Sequence, residues 1–356
     1  MCAAIKKQEH ETEGQRAVPL ELAVGMALAH DITEIRPGEF KGCAFRKGHI
    51  IGTEDLPHLR RLGKENVLIL ELACGDVHED EAAMALAGAL SGEGVETAGA
   101  PREGRANLIA GRDGLLKIDK EALLEFNMLG EVVCATLHDN TLVRKGQIVA
   151  GTRSMPLVLK RKVLEEALAL LKGRELIRIK ELKRPKTGVV ITGNEVYCGL
   201  VRDAFAPVIR DKIEALGGEI TDFFYAPDDA AHIEKRLREL LAAGAELLIL
   251  TGGMSVDPDD VTRSAVQKIA EDDVYGAAVL PGSMFLSAYI NREDGPVPVL
   301  GVPACALYHK ATVLDLLLPR ILAGEKIGRE ELARLGHGGL CLACGECRYP
   351  VCPFGK

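Results

Sequence analysis

Two short glycine turns, each directly after an apolar run, are the places where this chain could bind a negatively charged ligand. Thr192-Gly193-Asn194-Glu195 follows the apolar run 188–191, and Thr251-Gly252-Gly253 follows four consecutive apolar residues, 247–250. Glycine lets the backbone approach a ligand closely, and the N–H groups of such turns can bind a phosphate. The two turns therefore predict a site for a phosphate-bearing small molecule. The alternative is that each Gly is needed only for a tight strand-to-helix turn.

Acidic residues accompany both turns and could hold a metal ion or position a polar substrate. Glu195 belongs to the first turn, and Asp257, Asp259 and Asp260 lie in the loop after the second. Carboxylate oxygens are hard ligands that suit Mg²⁺. We predict catalytic roles for Glu195, Asp257 and Asp260. The alternative is that Asn194 and Asp260 only cap the helices that follow them.

A cluster of four cysteines near the end of the sequence is the second candidate for chemistry. Cys341, Cys344, Cys347 and Cys352 have the spacing Cys-x₂-Cys-x₂-Cys-x₄-Cys, and Pro353 follows the last of them. In a reducing compartment, thiolates this close together predict a metal site. The pattern is similar to a ferredoxin motif with its last gap one residue longer, and it favours an iron–sulfur cluster. A closed tetrahedral Zn²⁺ site is the alternative. The scattered cysteines are expected to be small core residues.

The two turns must be positioned by a region in which strands alternate with helices. Amphipathic periodicity predicts helices over 203–216, 229–241, 261–270 and 305–322. Apolar runs predict strands at 188–192, 220–225, 247–250, 276–280, 285–290 and 297–302. This alternation predicts an α/β fold with a doubly wound, mostly parallel sheet, in which both turns emerge at the carboxyl edge.

The remainder of the chain is expected to be more irregular. Arg112-Asp113-Gly114 predicts a hairpin turn between strands at 107–110 and 115–118. Apolar spacing predicts helices over 156–171 and, for a short run, over 21–27. We therefore divide the chain into a loose N-terminus (1–17), a mixed, β-rich region (18–184), the α/β domain (185–326) and a small Cys-rich tail (327–356).

Composition and charge exclude several classes of protein. The 356 residues are 47% apolar, as in globular proteins, and their formal net charge is −8. We expect no nucleic-acid partner, since such proteins need a basic face that replaces the phosphate counterions. No stretch approaches the roughly 20 apolar residues that span a bilayer. Because the N-terminus also lacks the apolar core of a signal peptide, we expect a cytoplasmic protein with no membrane partner.

The two turns together resemble the molybdopterin-binding domain of molybdenum insertases, which the small molybdopterin adenylyltransferases share. The similarity extends over about residues 187–324 and depends on the segments 192–195, 251–255 and Asp260-Val261-Thr262. The opening segment, Leu20 to Ile32, also resembles the start of the insertases. The resemblance implies a role in molybdenum-cofactor biosynthesis.

The reaction that this resemblance implies is transfer of molybdate to the dithiolene of adenylylated molybdopterin, with Mg²⁺ and release of AMP. It also implies a homodimer and a molybdoenzyme or biosynthetic partner. Carried over by position, Glu195, Asp260 and the second turn would contact the pterin phosphate, metal or molybdate. The residues expected to bind molybdopterin are Thr192, Gly193, Asn194, Thr251, Gly252, Gly253, Ser255, Gly282 and Ser283.

Departures from the insertase pattern affect catalysis more than binding. Asn194 stands where insertases usually have Asp, and Asp257 where they have Gly. The segment 281–284 lacks the lysine of their Pro-Gly-Lys-Pro loop, and 302–305 replaces their Pro-Gly-Asn-Pro turn. The sequence thus predicts a molybdopterin-binding protein that inserts molybdate. The alternatives are a non-catalytic carrier or sensor of the cofactor and a Mg²⁺-dependent nucleotide pyrophosphatase on the same domain.

Overall fold

In the computed structural model, the chain divides into two units, one up to Ile179 and one from Lys180 onwards. The structure describes residues 15–36, 39–70, 75–102, 104–254 and 261–356. No helix in these ranges is long and apolar enough to cross a membrane. The four-part division of the sequence, with its main boundary near residue 184, stays a prediction.

Short strands in several small sheets build the first unit. Its helices are α1 (Leu56–Arg61), α2 (Glu79–Leu90), α3 (Lys120–Asn127) and α4 (Arg161–Leu171). Its strands are β1 (Gln15–Pro19), β2 (Ile32–Arg36), β3 (Phe40–Phe45), β4 (Asn66–Leu70), β5 (Asp76–His78), β6 (Val95–Thr97), β7 (Arg105–Ala110), β8 (Gly114–Ile118), β9 (Val132–Thr136), β10 (Leu142–Val143), β11 (Ile148–Ser154), β12 (Val158–Lys160) and β13 (Ile177–Lys180). They form sheets with the orders β6-β7-β11-β9 and β10-β8-β13 and the pairs β1-β4, β2-β3 and β5-β12.

The predicted hairpin around Arg112-Asp113-Gly114 is wrong, because its two strands belong to different sheets. β7 pairs with β6 and β11, whereas β8 pairs with β10. The turn is instead bonded to other segments. The Arg112 guanidinium donates to the carbonyl oxygen of Ile179 at 2.6 Å, and Asp113 Oδ1 accepts from the N–H of Lys145 at 2.7 Å. A local turn signal therefore marked the turn but not the pairing of its strands.

Two predicted helices of the first unit are shorter than expected. The helix predicted over 156–171 begins only at Arg161, because Val158–Lys160 pairs antiparallel with Asp76–His78. The helical run predicted over 21–27 is only a 3₁₀ turn over Leu20–Leu22. In the predicted helix over 156–171, residues 158–160 pair as a strand although their sequence continues the helical periodicity.

The expectation that the scattered cysteines lie in the core is only partly correct. Cys134 is buried, and burial raises the pKa of its thiol to about 12. Cys305 is half-buried, whereas Cys43 and Cys198 are exposed, so for these last two the prediction is wrong. Cys2 and Cys74 lie outside the described residues.

Glu79, at the start of α2, is a buried carboxyl group of the first unit. It is 7% exposed, and its nearest guanidinium, that of Arg153, is 3.9 Å away. Burial, reinforced by the charge of Asp80, raises the pKa of Glu79 above its ordinary value. The pKa of Glu79 is higher in the folded than in the unfolded protein. Its contribution to stability is therefore fully present at low pH, where the carboxyl group is protonated in both states. That stability is lost as the pH rises from the unfolded pKa through the folded pKa.

Replacing Glu79 with glutamine is therefore expected to raise the melting temperature at neutral pH and to flatten the loss of stability with rising pH. The measurement is thermal unfolding followed by circular dichroism from about pH 4 to about pH 8, a range that includes the titration of the carboxyl group. Glu81→Gln is the matched control, since Glu81 is an exposed carboxylate in the same turn of α2. A pH profile of Glu79→Gln that coincides with the wild-type profile would contradict the prediction.

The second unit is built around one six-stranded sheet. Its strands are β14 (Lys186–Thr192), β15 (Glu219–Ala226), β16 (Leu247–Thr251), β17 (Glu271–Tyr275), β18 (Leu286–Ile290) and β19 (Val297–Val302). Its helices are α5 (Asn194–Tyr197), α6 (Phe205–Ala215), α7 (Ala230–Ala242), α8 (Thr262–Gln267), α9 (Val313–Leu322) and α10 (Arg329–Arg334). The strand order is β15-β14-β16-β19-β18-β17. The first four strands are mutually parallel, and β18 runs antiparallel to both of its neighbours. The second unit is therefore a mixed α/β fold.

Both faces of this sheet are covered, which explains why its central strands are apolar without alternation. Val189 and Ile191 of β14 pack in the same cluster as Ile209 of α6 and the apolar residues of α9. Val190, from the opposite face, packs in a second cluster that includes Ile233 of α7. The helices thus lie on both sides, as the doubly wound prediction requires.

Two boundaries of the second unit differ from those predicted. The strand predicted over 276–280 lies instead at Glu271–Tyr275 and pairs with β18. The closing helix predicted from residue 305 begins at Val313, because Thr312 caps it there. The Thr312 hydroxyl accepts from the N–H of Leu314, and Asp315 accepts from the N–H of Thr312 at 2.7 Å. A capping box of this kind fixes a helix start.

A substitution at Leu317 of α9 can measure how much this core contributes to the stability of the fold. Its side chain is fully buried among the residues of the first cluster. We expect Leu317→Ala to lower the free energy of unfolding by about 2–5 kcal/mol, since it removes buried methyl groups and leaves a cavity. Urea denaturation measures this loss. Leu200→Ala is the control, because Leu200 is 80% exposed, and a similar loss in both variants would contradict the packing described.

Candidate functional site

Predicted site residues lie at one edge of the sheet, at the carboxyl ends of parallel strands and in the loop before β18. Thr192 ends β14 and Thr251 ends β16, its neighbour. Val302 ends β19 on the far side of β16. Since β18 runs antiparallel to β19, the loop before β18, residues 281–285, lies at the same edge. This is the edge at which open α/β sheets bind ligands.

The Gly252–Gly253 turn requires glycine at both positions. Both residues have left-handed backbone conformations, with φ of +85° and +55°. A Cβ atom on Gly252 would clash with the carbonyl oxygen of Thr192, and one on Gly253 would clash with the hydroxyl of Thr262. The two glycines therefore allow three segments to meet without side chains between them.

Hydrogen bonds of the Thr192 hydroxyl hold these segments together. This hydroxyl donates to the carbonyl oxygen of Thr251 at 3.0 Å, and its oxygen lies 3.1 Å from the hydroxyl oxygen of Thr262. The Thr251 hydroxyl is also buried, and it has no hydrogen-bond partner among the residues that the structure describes. A buried hydroxyl without a partner is costly to the fold.

A cavity of about 520 Å³ opens beside the Gly252–Gly253 turn. This volume is in the range of small-molecule sites. We call it the strand-end cavity, and it is lined by Gly252, Gly253, Met254, Leu280, Pro281, Gly282, Ser283, Met284, Pro303, Ala304 and Cys305. Four residues predicted from the sequence are in this lining: Gly252, Gly253, Gly282 and Ser283.

Packing requires glycine at position 282, which also lines the strand-end cavity. Its φ is +125°, and a Cβ atom there would clash with the side chain of Val313 at the start of α9. The carbonyl oxygen of Pro281 accepts from the N–H of Val313 at 3.3 Å. The loop before β18 is thereby held against α9, which fixes one wall of the strand-end cavity.

Asn194 and Glu195 lie on the neighbouring strand end and do not line this cavity. The N–H of Asn194 donates to Asp228 Oδ2 at 3.0 Å, and Asn194 Oδ1 accepts from the N–H of Asp228 at 3.2 Å. The alternative that Asn194 caps a helix is wrong, because its side chain bonds to Asp228 instead. Glu195 is exposed, and its carboxylate lies over Gly193.

Three predicted site residues, Ser255, Asp257 and Asp260, lie outside the described residues. In the ranges that are described, no three His, Cys, Asp or Glu residues are placed to hold a single metal ion. The described carboxylates at this edge, Glu195 and Asp228, therefore do not by themselves fit a Mg²⁺ site.

Sequence reasoning missed several residues at this edge. Asp228 follows β15 just as Asn194 follows β14, so the parallel arrangement of the two strands was the signal that could have identified it. Met254 is buried, and its backbone oxygen accepts from the hydroxyl of Tyr275. Cys305 lines the strand-end cavity, and burial raises the pKa of its thiol, which therefore stays protonated.

Family models match two parts of the chain. Residues 17–71 match a domain of unknown function, DUF8806. They include the opening segment that resembles the insertases, and this part of the resemblance stays a prediction. Residues 188–323, which contain the strand-end cavity, match a family described as probable molybdopterin binding domain.

Curated relatives and solved structures are similar to parts of this chain. A CinA-like protein of Mycobacterium avium (strain 104) is 36% identical over 223 residues, 48% of this chain and 51% of the relative. One from Mycobacterium sp. (strain MCS) is 37% identical over 83 residues, 23% of this chain and 20% of the relative. The chain thus spans about half, or less, of the length of these relatives.

Among solved structures, the tungsten cofactor synthesizing protein MoaB from Pyrococcus furiosus is 18% identical, with a TM-score of 0.34, over 41% of this chain and 99% of that one. The protein CinA with unknown function from Thermoplasma acidophilum is 16% identical, with a TM-score of 0.33, over 39% and 98%. Residues 188–323 of this chain are thus similar to the family described as probable molybdopterin binding domain.

Proposed function

We propose that the strand-end cavity binds molybdopterin, or its adenylylated form, and that the protein inserts molybdate into it in molybdenum-cofactor biosynthesis. The observation that carries this proposal is the Gly252–Gly253 turn. Its two glycines are sterically required, and the turn lines a cavity of ligand size inside the domain that matches the molybdopterin-binding family. Phosphate binding by the backbone of such a turn needs no basic side chain.

The lining of the cavity suits a flat ring that bears an anionic group. The backbone of Gly252 and Gly253, which lines the cavity, would supply N–H donors for the phosphate. Met254, Pro281, Met284 and Pro303 contribute apolar surface for the pterin ring. Small-molecule sites commonly combine apolar walls with a few polar groups in this way.

In the proposed reaction, the two dithiolene sulfurs of molybdopterin bind molybdenum in place of one oxygen of molybdate. The two thiol protons leave with that oxygen as water, and one water is consumed when the bond between the pterin phosphate and AMP breaks. No electrons are transferred. We assign Glu195, Asp257 and Asp260 to the reacting end of the site. Because the described carboxylates do not fit a Mg²⁺ site by themselves, no step is assigned to this ion.

A second candidate function is that of a non-catalytic carrier or sensor of the cofactor, and the state of Asn194 favours it. This residue is neutral where insertases have a carboxylate, and its side chain is bonded to the backbone of Asp228. The loop at 281–284 also offers no lysine to a phosphate. Both features leave binding intact and weaken the stabilisation of charge in a transition state. The homodimer and the recipient molybdoenzyme are expectations under either function.

The two functions separate in one assay. The purified protein is incubated anaerobically with adenylylated molybdopterin, molybdate and Mg²⁺, and AMP release is followed beside binding of the pterin. Insertion predicts AMP release that depends on both protein and molybdate. Tight binding without AMP release would contradict insertion and support the carrier. Release of AMP that does not depend on molybdate would instead indicate a pyrophosphatase.

A further inference from the structure

The four cysteines of the tail line a second cavity, which shares no lining residue with the strand-end cavity. This cysteine cavity has a volume of about 290 Å³, and Cys341, Cys344, Cys347 and Cys352 all belong to its lining. All four are free thiols. The segment 308–311 forms another part of the lining.

The two ends of the cysteine segment are fixed to the core of the second unit. At one end, the N–H of Cys341 donates to the carbonyl oxygen of Leu280, whose own N–H donates to Gly339, each at 2.8 Å. At the other end, the Tyr349 hydroxyl donates to the carbonyl oxygen of Asp315 at 3.1 Å. Phe354 is 3% exposed and is buried in the core. The tail is therefore anchored independently of any ligand.

The middle of the segment is open to a ligand. Cys341 and Cys352 are half-buried, whereas Cys344 and Cys347 lie on an exposed turn. Ala343 has a left-handed backbone with φ of +49°, which is uncommon for a residue with a side chain. No atom lies within 4 Å of a Cβ built on Gly345. The turn that carries the two exposed thiols thus has room to adjust without unfolding the anchors.

The charges around the cysteine cavity suit a thiolate-bound metal centre. Four thiolates around a single Zn²⁺ or around a cluster leave the centre with a net negative charge. Lys310 and Arg348 line the cavity together with one carboxylate, Glu346, so the lining carries net positive charge beside the four cysteines. Thiolates are the ligands that zinc and iron–sulfur clusters share.

The spacing of the cysteines favours a cluster over a single ion. A tetrahedral zinc site draws four sulfurs to about 2.3 Å from one point. The succession Cys341, Cys344 and Cys347, followed by Cys352-Pro353, is instead similar to a ferredoxin motif with its last gap one residue longer. In an iron–sulfur cluster each thiolate binds its own iron, so the ligands surround a volume and do not converge.

We propose that these four thiolates bind a 4Fe–4S cluster in the cysteine cavity. Binding is a ligand exchange: each cysteine S–H loses its proton and forms one Fe–S bond, and each iron gives up the ligand with which a preassembled cluster arrived. No net electron transfer is required. The site lies next to the strand-end cavity, because Leu280 lines that cavity and pairs with Leu340. The proposal does not depend on which ligand the strand-end cavity binds.

The test uses the full chain, produced with ample iron and reconstituted anaerobically with iron and sulfide. We expect about four iron and four sulfide per chain, with visible absorption that dithionite bleaches. Cys347→Ala is expected to lose most of this iron, sulfide and colour. Cys198→Ala is the matched control, since Cys198 is also an exposed cysteine but lies outside the tail, and it should keep the wild-type content.

Folding is checked separately, so that a loss in Cys347→Ala is informative. We expect the variant to melt as cooperatively as the wild-type apoprotein, because Cys347 lies on the exposed turn and not among the anchors. Cys344→Ala, on the same turn, should reproduce its loss of cluster. A colourless wild-type protein with one tightly bound zinc and no labile sulfide would overturn the proposal, and so would equal cluster loss in Cys198→Ala.

Discussion

Replacing Gly252 with alanine is expected to weaken molybdopterin binding by at least about tenfold, equivalent to roughly 1.4 kcal/mol. The added Cβ would clash with the carbonyl oxygen of Thr192 and lie 2.7 Å from its hydroxyl. The backbone φ of +85° is also unfavourable for alanine. Because the turn can relieve the clash and the backbone strain only by moving, the part of the cavity wall that it forms is displaced. Fluorescence titration of the bound pterin measures the dissociation constant.

The control for this variant is Gly244→Ala. Gly244 has a similar φ of +89°, but no atom lies within 4 Å of a Cβ built there. It therefore carries the same backbone strain without the clash, and it lies outside the lining of the strand-end cavity. We expect this variant to be slightly less stable and to bind with wild-type affinity. Equal affinities in Gly252→Ala and the wild type would show that the turn does not form the site.

Replacing Asn194 with aspartate is expected to raise AMP release from adenylylated molybdopterin by at least about tenfold, since one electrostatic stabiliser commonly contributes more than this. The substitution is nearly isosteric, and the new carboxylate can still accept from the N–H of Asp228, as Asn194 Oδ1 does at 3.2 Å. It restores the carboxylate that the insertases have at this position. Steady-state assays with molybdate and Mg²⁺ measure the gain, with binding of the pterin little changed.

Asn140→Asp is the matched control, because it makes the same chemical change at a residue of the first unit. The Asn140 side chain contacts Lys117 and not the strand-end cavity. We expect no gain in turnover for this variant. If Asn194→Asp binds the pterin but releases no more AMP than the wild type, the missing carboxylate is not what limits the chemistry, and the carrier function is favoured.

The sheet of the second unit was largely predictable because its signals are local. The apolar runs of β14 and β16 are continuous, since helices cover both faces of the sheet, and a glycine turn follows each strand. Parallel strands then bring the two turns to one edge without further information. The same reasoning placed Gly252 and Gly253 at a cavity that the structure shows.

Features that depend on distant partners could not be read from the sequence in the same way. The Arg112-Asp113-Gly114 turn has a strong local signal. The strands on either side of it nevertheless belong to different sheets, because β7 pairs with β11 and β8 pairs with β10. Asn194 looked like a helix cap, but its side chain bonds to Asp228 instead. Its partner, Asp228, is 34 residues away along the chain. No periodicity indicates such a contact.

Equilibrium titration of the wild-type protein with molybdopterin, under anaerobic conditions and followed by pterin fluorescence, tests the central claim most directly. We predict saturable binding with a stoichiometry of one per chain, weakened in Gly252→Ala and unchanged in Gly244→Ala. A correctly folded wild-type protein that shows no saturable binding would contradict the assignment of the strand-end cavity as a molybdopterin site.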